Sequence, residues 1–574
     1  MYILGINAYH GDSSACLIKD GLIVSAIEEE RIRRIKHWAG FPSEAIKFCL
    51  KDEGITIKQV DYVTISRDPK ANLFKKVLYA LRYSISFSNI RDRLMNSRKV
   101  GSVRKELADL FELPVSSIKS DIYNIEHHRS HIASSFFASP FQRSAILSID
   151  GFGDFTSTMT AIGEGNRFQV LREINYPHSL GVFYTAITQF LGFPYYGDEY
   201  KVMGLAPYGK PIYMKELEKL LQLTDDGFFM LDKKYFKHFN EGVAMDWEGG
   251  SPNIAPLFNK HWKLLFGEPR IEGGDIKQSH IDLATSAQRF TEKVVFHILN
   301  YLHKETGCDN ICITGGVAQN SVLNGRILEK TSFKNVYVPP AGHDAGTSIG
   351  SALYLYNQLL DNSRMPEMLS AYFGSRFSHD EIILILNKKG VAYTVLSDDA
   401  LFQKVSDNLV DGGVVGWFQG RCEFGPRALG HRSILVDPRR SDVKDLLNRK
   451  IKKRESFRPF APSILKESIS DYFVQVDTVP FMEKVFDIRK DKHSEIPAVT
   501  HIDGTGRLQS VDKKVSPRYH KLISAFLEKT GVPILLNTSF NENEPIVNTP
   551  EQALDCFLRT EMDMLVMENI IIER

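Results

Sequence analysis

Tyr2-Ile3-Leu4-Gly5-Ile6-Asn7-Ala8-Tyr9-His10-Gly11-Asp12-Ser13-Ser14-Ala15-Cys16-Leu17-Ile18-Lys19-Asp20-Gly21-Leu22-Ile23-Val24-Ser25-Ala26-Ile27 opens the chain. Three short apolar runs, residues 2–6, 14–18 and 22–27, read as strands. Asp20-Gly21 is a strong hairpin turn between the second and third, since both residue types tolerate positive φ. The loop between the first two strands carries His10, Gly11, Asp12 and two serines, and such a loop brings backbone and polar groups close to a ligand.

Further along stand Glu126-His127-His128-Arg129-Ser130-His131 and Leu147-Ser148-Ile149-Asp150-Gly151-Phe152-Gly153-Asp154. If residues 127–131 are helical, His127 and His131 lie one turn apart on one face and can share a metal ion. By itself that spacing also fits an ordinary helix face. Residues 144–149 read as a buried strand that opens at Asp150 into a glycine loop, which makes Asp150 a third ligand. Asp344, between a strand at 335–338 and a helix, is the fourth. Two histidines and two carboxylates suit iron, manganese or zinc. A zinc peptidase is disfavoured, because no glutamate stands between the histidines to act as general base.

At 574 residues the chain is too long for one ordinary core. Its 43% hydrophobic and 25% charged residues are those of a soluble globular protein. Lys plus Arg total 71 against 70 Asp plus Glu, so the overall balance selects no polyanionic partner. Six scattered cysteines indicate a reduced chain, and neither a leader peptide nor a membrane-spanning run is visible, so a cytoplasmic protein is expected. Lys75, Lys76, Arg82, Arg91, Arg93, Arg98, Lys99, Arg104 and Lys105, with Asp92 among them, form a basic stretch. It reads as a solvated helical face rather than a nucleic-acid surface, because Phe74, Tyr79, Tyr83 and Phe87 recur like core positions. Glu199 and Lys201 lie in what reads as glycine-punctuated loop, where charges commonly bind ligands. A long amphipathic helix is expected over 281–302, then a strand at 310–314 and the turn Gly315-Gly316-Val317-Ala318-Gln319-Asn320, whose glycines suit close approach to a nucleotide. The sequence loosens at 361–366, which divides it into domains 1–360 and 361–574.

The second domain is rich in arginine. Gln419 to Ser433 contains Gly425-Pro426-Arg427-Ala428-Leu429-Gly430, and Asn448 to Pro462 contains Lys452 and Arg458-Pro459-Phe460-Ala461-Pro462. Arginine's planar fork recognises phosphate and carboxylate bidentately, so arginines in glycine and proline loops point to an anion site. Arg507 and the hydroxyl-rich loop Asn537-Thr538-Ser539-Phe540-Asn541 complete a pocket suited to a triphosphate and a small acid.

These stretches, together with Glu29-Glu30-Arg31, Lys36-His37 and Glu199-Tyr200-Lys201-Val202-Met203-Gly204, resemble in order the O-carbamoyltransferases of the nodulation-protein and cephamycin type, from Gly5 to the last strand. The resemblance implies an α/β chain with an actin-like (ASKHA) N-terminal domain, in which the first loop approaches nucleotide phosphates, followed by a YrdC-like α/β domain. It implies that the second domain uses carbamoyl phosphate and ATP, with Mg2+, to make carbamoyl-adenylate. The carbamoyl group then passes in the first domain to a hydroxyl of a small-molecule acceptor. On this reading His127, His131, Asp150 and Asp344 hold a divalent metal, with Fe2+ first and Mn2+ or Zn2+ as alternatives. His10 is the general base, Gly315, Gly316 and Asn320 hold the nucleoside, and Arg427, Lys452, Arg458, Arg507 and Ser539 bind and activate the phosphates. Asp12, Lys36, Glu199 and Lys201 are further candidates. A threonylcarbamoyl-type tRNA-modifying enzyme and an actin-fold small-molecule kinase are the alternatives. The kinase would leave the arginine loops without a purpose, and no nucleic-acid or membrane partner is expected.

Overall fold

The computed structural model describes residues 1–83, 102–243, 245–247 and 250–574. The chain forms two compact units. One comprises Met1–Glu30, Ile35–Asn320 and Ile327–Met368; the other comprises Arg31–Arg34, Ser321–Arg326 and Leu369–Arg574.

In the first unit the opening runs form β1 (Tyr2–Asn7), β2 (Ser14–Lys19) and β3 (Leu22–Glu28), with Asp20 and Gly21 both at positive φ in the turn, as that dipeptide requires. With β4 (Tyr62–Ile65) and β5 (Asp121–Asn124) they make a sheet of order β3-β2-β1-β4-β5, in which the first three strands are antiparallel and the last two run parallel to β1. The pattern recurs. β6 (Arg143–Gly153), β7 (Thr156–Glu164) and β8 (Arg167–Asn175) form an antiparallel meander, and β9 (Asn310–Thr314) and β10 (Asn335–Tyr337) add to β6 in parallel, giving β8-β7-β6-β9-β10.

Helices α1 (His127–Phe136) and α3 (Thr347–Leu353) pack closely; a Cβ on Gly350 would lie 1.8 Å from the Ser130 carbonyl, so only glycine fits this contact. The expected long helix is α2 (Gln278–Thr306). Leu283, Ala287, Phe290, Val294 and Ile298 of its predicted stripe are buried, whereas Tyr301 is half-buried under the Arg172 guanidinium.

The second unit is one mixed sheet of β11 (Thr394–Val395), β12 (Val415–Phe418), β13 (Arg432–Val436), β14 (Ala461–Leu465), β15 (Lys484–Asp487), β16 (Thr505–Val511), β17 (Ile534–Ser539), β18 (Met564–Met567) and β19 (Ile570–Glu573). Their order is β11-β19-β18-β12-β13-β17-β14-β16-β15. Trp417, Ile434, Leu435, Leu522, Phe526 and Leu536 lie in its core. Both units are mixed α/β.

Several local expectations change. The stretch beyond residue 360 has no regular structure but stays with the first unit to Met368, because Arg364 donates to the carbonyls of Phe136 (2.8 Å) and Ser139 (2.7 Å) and Met368 N donates to Ala138 O (2.9 Å). The second unit, in turn, gathers two short distant segments. Arg31 donates to Gly425 O (2.6 Å), Arg34 to Ile546 O (2.7 Å) and Asn324 to Glu483 O (3.0 Å). Asp150 lies within β6 rather than after it, since β6 runs on through an irregularity to pair Gly153 with Thr156.

Glu199 and Lys201 occupy a helix, Glu199–Leu205, not a loop. Phe74 is 75% exposed, so of the aromatics read as core on that stretch Tyr79 is buried and Phe74 is not. Phe87 and the basic residues Arg91, Arg93, Arg98 and Lys99 lie outside the described residues. Among the described residues no helix is long and apolar enough to cross a membrane.

Candidate metal centre and anion site

The first unit brings His127, His131, Asp150 and Asp344 together: one donor atom from each lies within 4.8 Å of the others. The two Nε2 atoms are 3.1 Å apart; Asp150 Oδ2 is 3.3 and 3.2 Å from them, and Asp344 Oδ1 3.5 and 3.4 Å. Two imidazole nitrogens turned on each other share either a proton or a metal ion. Ligands about 2.1 Å from one ion and roughly at right angles stand about 3 Å apart, so the donor set fits a first-row metal.

Local structure aims each ligand. Glu126 caps α1, accepting from His128 N (3.1 Å) and Arg129 N (2.8 Å), while Asp154 Oδ2 accepts from His127 N (3.0 Å). Glu126→Ala should therefore cost about 1 kcal/mol, read as an earlier denaturant midpoint. Asp150 Oδ1 accepts from Gly151 N (2.7 Å) and Gly316 N (3.1 Å), which leaves Oδ2 for the cluster. Gly315 permits that approach: its φ is +94° and a Cβ there would lie 2.2 Å from Ile149 O. His128 is turned away, bonded to Ser148 Oγ (2.8 Å) and Thr156 O (3.1 Å), and burial drives its pKa down to about 3.

Burial opposes charge on His127, yet Asp344 and Asp150 raise it to about 9; burial likewise opposes ionisation of Asp150, yet His127 and His131 hold it well below the usual carboxylate range. His10 stacks on His127 at 5.0 Å between ring centroids, with Nδ1 3.6 Å from Asp344 Oδ2. Burial lowers its pKa, so the ring is neutral, and its buried Nε2 has no hydrogen-bond partner among the described residues.

The remaining candidates of this unit are otherwise engaged. Asp12 bonds His37 Nδ1 at 2.8 Å, and with Glu30 these make a second close group. Lys36 is exposed. Glu199 accepts from Thr185 Oγ1 (2.6 Å), and Lys201 pairs with Asp198 (2.9 Å) over the Phe193 ring. Asn320 exchanges two hydrogen bonds with Gln288 (3.1 and 2.9 Å).

In the second unit buried polar side chains build the loop that presents Arg427. Glu423 Oε1 accepts from Leu429 N (2.7 Å), His431 N (2.9 Å) and Arg432 N (3.2 Å); Gln509 and Tyr372 donate to Leu429 O (2.8 and 2.9 Å), and Asn537 to Ala428 O (3.1 Å). Lys452 is 1% exposed, and its ammonium donates to the Ser539 carbonyl, Ser539 Oγ (3.3 Å), Asn541 O (2.8 Å) and Asn541 Oδ1 (2.7 Å). Lys452 and Ser539 thus act on each other, and Lys452 fixes the loop that carries the hydroxyl. Burial, with Arg427, Arg454 and Arg458 close by, holds the Arg507 pKa well below the usual guanidinium range. Arg507 Nε is buried without a hydrogen-bond partner among the described residues. Guanidiniums gathered in this way call for an anion. Arg454, Asn541 and Glu423 were not among the expected site residues. Arg454 lies in the stretch from Asn448 to Pro462 whose arginines pointed to an anion site, but it was not singled out there.

Comparison with known proteins places both halves of the chain in one family. The family model "Carbamoyltransferase N-terminus" matches residues 2–353, and "Carbamoyltransferase C-terminus" matches residues 406–574. A Synechocystis protein designated sll1178 is 42% identical over all of this chain and 97% of its own length. Nodulation protein NolO of Bradyrhizobium diazoefficiens is 39% identical, covering 78% of this chain and 79% of its own. The 3'-hydroxymethylcephem-O-carbamoyltransferase of Amycolatopsis lactamdurans is 34% identical over 44% of this chain and 47% of its own.

Proposed function

The chain belongs to the carbamoyltransferase family, and from that premise we propose that it is an ATP-dependent O-carbamoyltransferase working in two steps, through carbamoyl-adenylate, on a hydroxyl of a small molecule. The observation that carries the proposal is the gathering of Arg427, Arg454 and Arg458 around Arg507 in one unit, while the His/Asp cluster lies in the other. The repeated strand order supports an actin-like reading of the first unit, and the second is read as YrdC-like. Six free, buried cysteines suit a reducing, cytoplasmic setting.

In the first step carbamoyl phosphate loses its phosphate by hydrolysis, the carbamate oxygen attacks the α-phosphorus of ATP·Mg2+, and pyrophosphate leaves. Arg427, Arg458 and Arg507 offset the repulsion between the reacting anions and stabilise charge on the leaving pyrophosphate. Lys452 holds Ser539 in place, and Ser539 Oγ is the neutral contact to the carbamoyl or adenylate group.

In the second step the acceptor oxygen attacks the carbamoyl carbon, its proton passes to His10 Nε2, and AMP leaves with the electron pair of the broken carbon–oxygen bond. His10 suits this role because a neutral imidazole with an unpartnered nitrogen is a competent base at neutral pH. His127, His131, Asp150 and Asp344 would hold the divalent metal, Fe2+ first and Mn2+ or Zn2+ next, which when bound neutralises the phosphate of the departing AMP. Gly316 N–H orients Asp150.

The test is incubation of the purified protein with carbamoyl phosphate and α-labelled ATP, without acceptor. Carbamoyl-phosphate-dependent pyrophosphate release is expected. ADP formation would point to a kinase, and dependence on threonine and bicarbonate to tRNA modification. The described part of the basic stretch gives the latter no support: Lys75 pairs with Glu173, Lys76 donates to Pro69 O (3.1 Å), and Arg104 to Ser120 O (3.0 Å).

A further inference from the structure

The first unit holds a guanidinium to which the two-step scheme gives no role. Arg67 lies just beyond β4, at the carboxyl end of the parallel strands, where ligands of such sheets commonly bind. It is half-buried. Its Nη1 donates to Tyr9 O (3.1 Å), the carbonyl next to His10, and its own carbonyl accepts from Asn124 Nδ2 (2.9 Å). Among the described residues the guanidinium makes no other hydrogen bond and no ion pair, so most of its donors are open. Burial lowers its pKa while Asp154 raises it, which sets the two charges near each other without pairing them. Asp154 is fixed as firmly. Its Oδ2 accepts from Asp68 N (2.7 Å) and His127 N (3.0 Å), and no described residue donates to its Oδ1. Asp154 and Phe155 connect β6 to β7, where Gly153 pairs with Thr156, and both stand at positive φ (+48° and +81°). Connections of that shape favour Asn-Gly, so an aspartate and a bulky aromatic are kept here against local preference, as happens at functional sites. Phe152 and Phe155 are half-buried and rest on Tyr176, with ring centroids 4.9 and 5.7 Å away.

We propose that Arg67 and Asp154 determine acceptor specificity in the first unit, and that they select a neutral, hydroxyl-rich ring, a sugar or a cyclic polyol. The inference rests on reading this unit as the place of carbamoyl transfer, with His10 as base. A hydroxyl is donor and acceptor at once, so a sugar hydroxyl, or two neighbouring ones, can accept from Arg67 and donate to Asp154 Oδ1. Charge excludes the other classes. A carboxylate or phosphate gains Arg67 but sets its oxygens against Asp154, and an ammonium gains Asp154 but sets its donors against Arg67; a neutral hydroxyl satisfies both. The C–H face of such a ring is apolar, and the Phe152 and Phe155 rings supply apolar surface on either side of Asp154. Both polar groups are pinned on one side by backbone, so little freedom is lost on binding. Because Arg67 is tied to the residue before His10, a ring held there has its hydroxyls close to the base.

The test measures binding of methyl α-glucoside, glucosamine and glucuronate to the full chain by saturation-transfer NMR, without ATP or carbamoyl phosphate. Methyl α-glucoside is expected to bind more tightly than either charged sugar. Arg67→Ala and Asp154→Asn should each weaken it about tenfold, the scale of one hydrogen bond to a charged group. Asp154→Asn keeps an oxygen for Asp68 N and His127 N and puts an amide N–H in place of the open Oδ1, so the fold is spared. Arg67→Lys keeps a donor for Tyr9 O without the planar fork and should lose less; it replaces Arg67→Ala if that variant does not fold. Arg67→Ala should also bring glucosamine closer to methyl α-glucoside, because the repelling charge is gone, a change that a merely structural role would not produce. No binding of methyl α-glucoside, tighter binding of a charged sugar, or affinities and ranking unchanged in the variants would overturn the proposal. Carbamoyl-phosphate-dependent pyrophosphate release by the unaltered protein is measured separately. Its absence beside sugar binding that depends on Arg67 and Asp154 would remove the adenylation reading and leave this site standing.

Discussion

Arg458→Ala should lower carbamoyl-phosphate-dependent pyrophosphate release by about 10²–10³-fold, the usual cost of removing one donor from a pre-organised electrostatic site. Arg458 is fixed at both ends. Asn448 holds its carbonyl at 3.2 Å, and Glu455 Oε2 lies 3.5 Å from its Nη1. With Arg427 and Arg454 it acts on Arg507, whose Nε is buried, so the alanine variant removes positive charge from a group of neighbouring guanidiniums. In the proposed scheme transfer consumes the adenylate, so overall carbamoylation should fall in step. Arg458→Lys restores charge without the planar fork and should recover only part of the rate. A coupled pyrophosphate assay at saturating ATP, with carbamoyl phosphate varied, reads both variants. Full activity in Arg458→Ala would place carbamoyl phosphate outside the arginine group and undo the division of labour proposed for the two units.

The parts of this arrangement that local pattern specifies were legible before any coordinates. Apolar runs on either side of Asp20-Gly21 form the hairpin that this dipeptide predicts, pairing Lys19 with Leu22 and Ile18 with Ile23 before a register shift, and α2 announces itself by five buried residues at helical spacing. The His/Asp cluster was readable because the His127/His131 spacing and two aspartates beside apolar strand-like runs are local features, even though the four side chains meet only through β6, α1 and the turn before α3.

What escaped was fixed by distant partners. Residues 31–34 and 321–326 join the second unit through contacts that include hydrogen bonds to Gly425, Pro545, Ile546 and Glu483, which no window of sequence reports. Glu199 and Lys201 looked like loop charges because Gly197 and Gly204 flank them, yet the backbone is helical and each charge meets a fixed partner, Thr185 and Asp198. Glu423 and Asn537 shape the Arg427 loop by bonding backbone groups, a task that any polar residue in the sequence could equally have held.

His127→Ala should separate the two half-reactions. Three donors would remain, and His131 Nε2 would keep Asp150 and Asp344 but lose its neighbour at 3.1 Å, so bound metal is expected to fall from near stoichiometric to near zero by elemental analysis. Transfer to any acceptor should stop. Pyrophosphate release should stay within about twofold, because the arginine group belongs to the other unit and the variant leaves it intact.

Proton linkage gives a second reading of the same site. In the metal-free protein Asp344 and Asp150 raise His127 to about 9 against the effect of burial, so near pH 7 a proton occupies the position that a metal needs. A raised pKa means that this proton is held at low pH and lost as pH climbs through about 9; metal affinity should therefore rise with pH over that range, and uptake near pH 7 should release protons. Calorimetric titration of Fe2+, Mn2+ or Zn2+ in buffers of different ionisation enthalpy measures that release directly. Uptake with no protons released would mean that His127 is not protonated near pH 7, and metal retained by His127→Ala would place the ion away from this imidazole. No uptake of any of these metals by the unaltered protein would mean that these four side chains form a proton-sharing cluster rather than a metal centre. The neutralising charge for AMP would then have to come from elsewhere in the first unit.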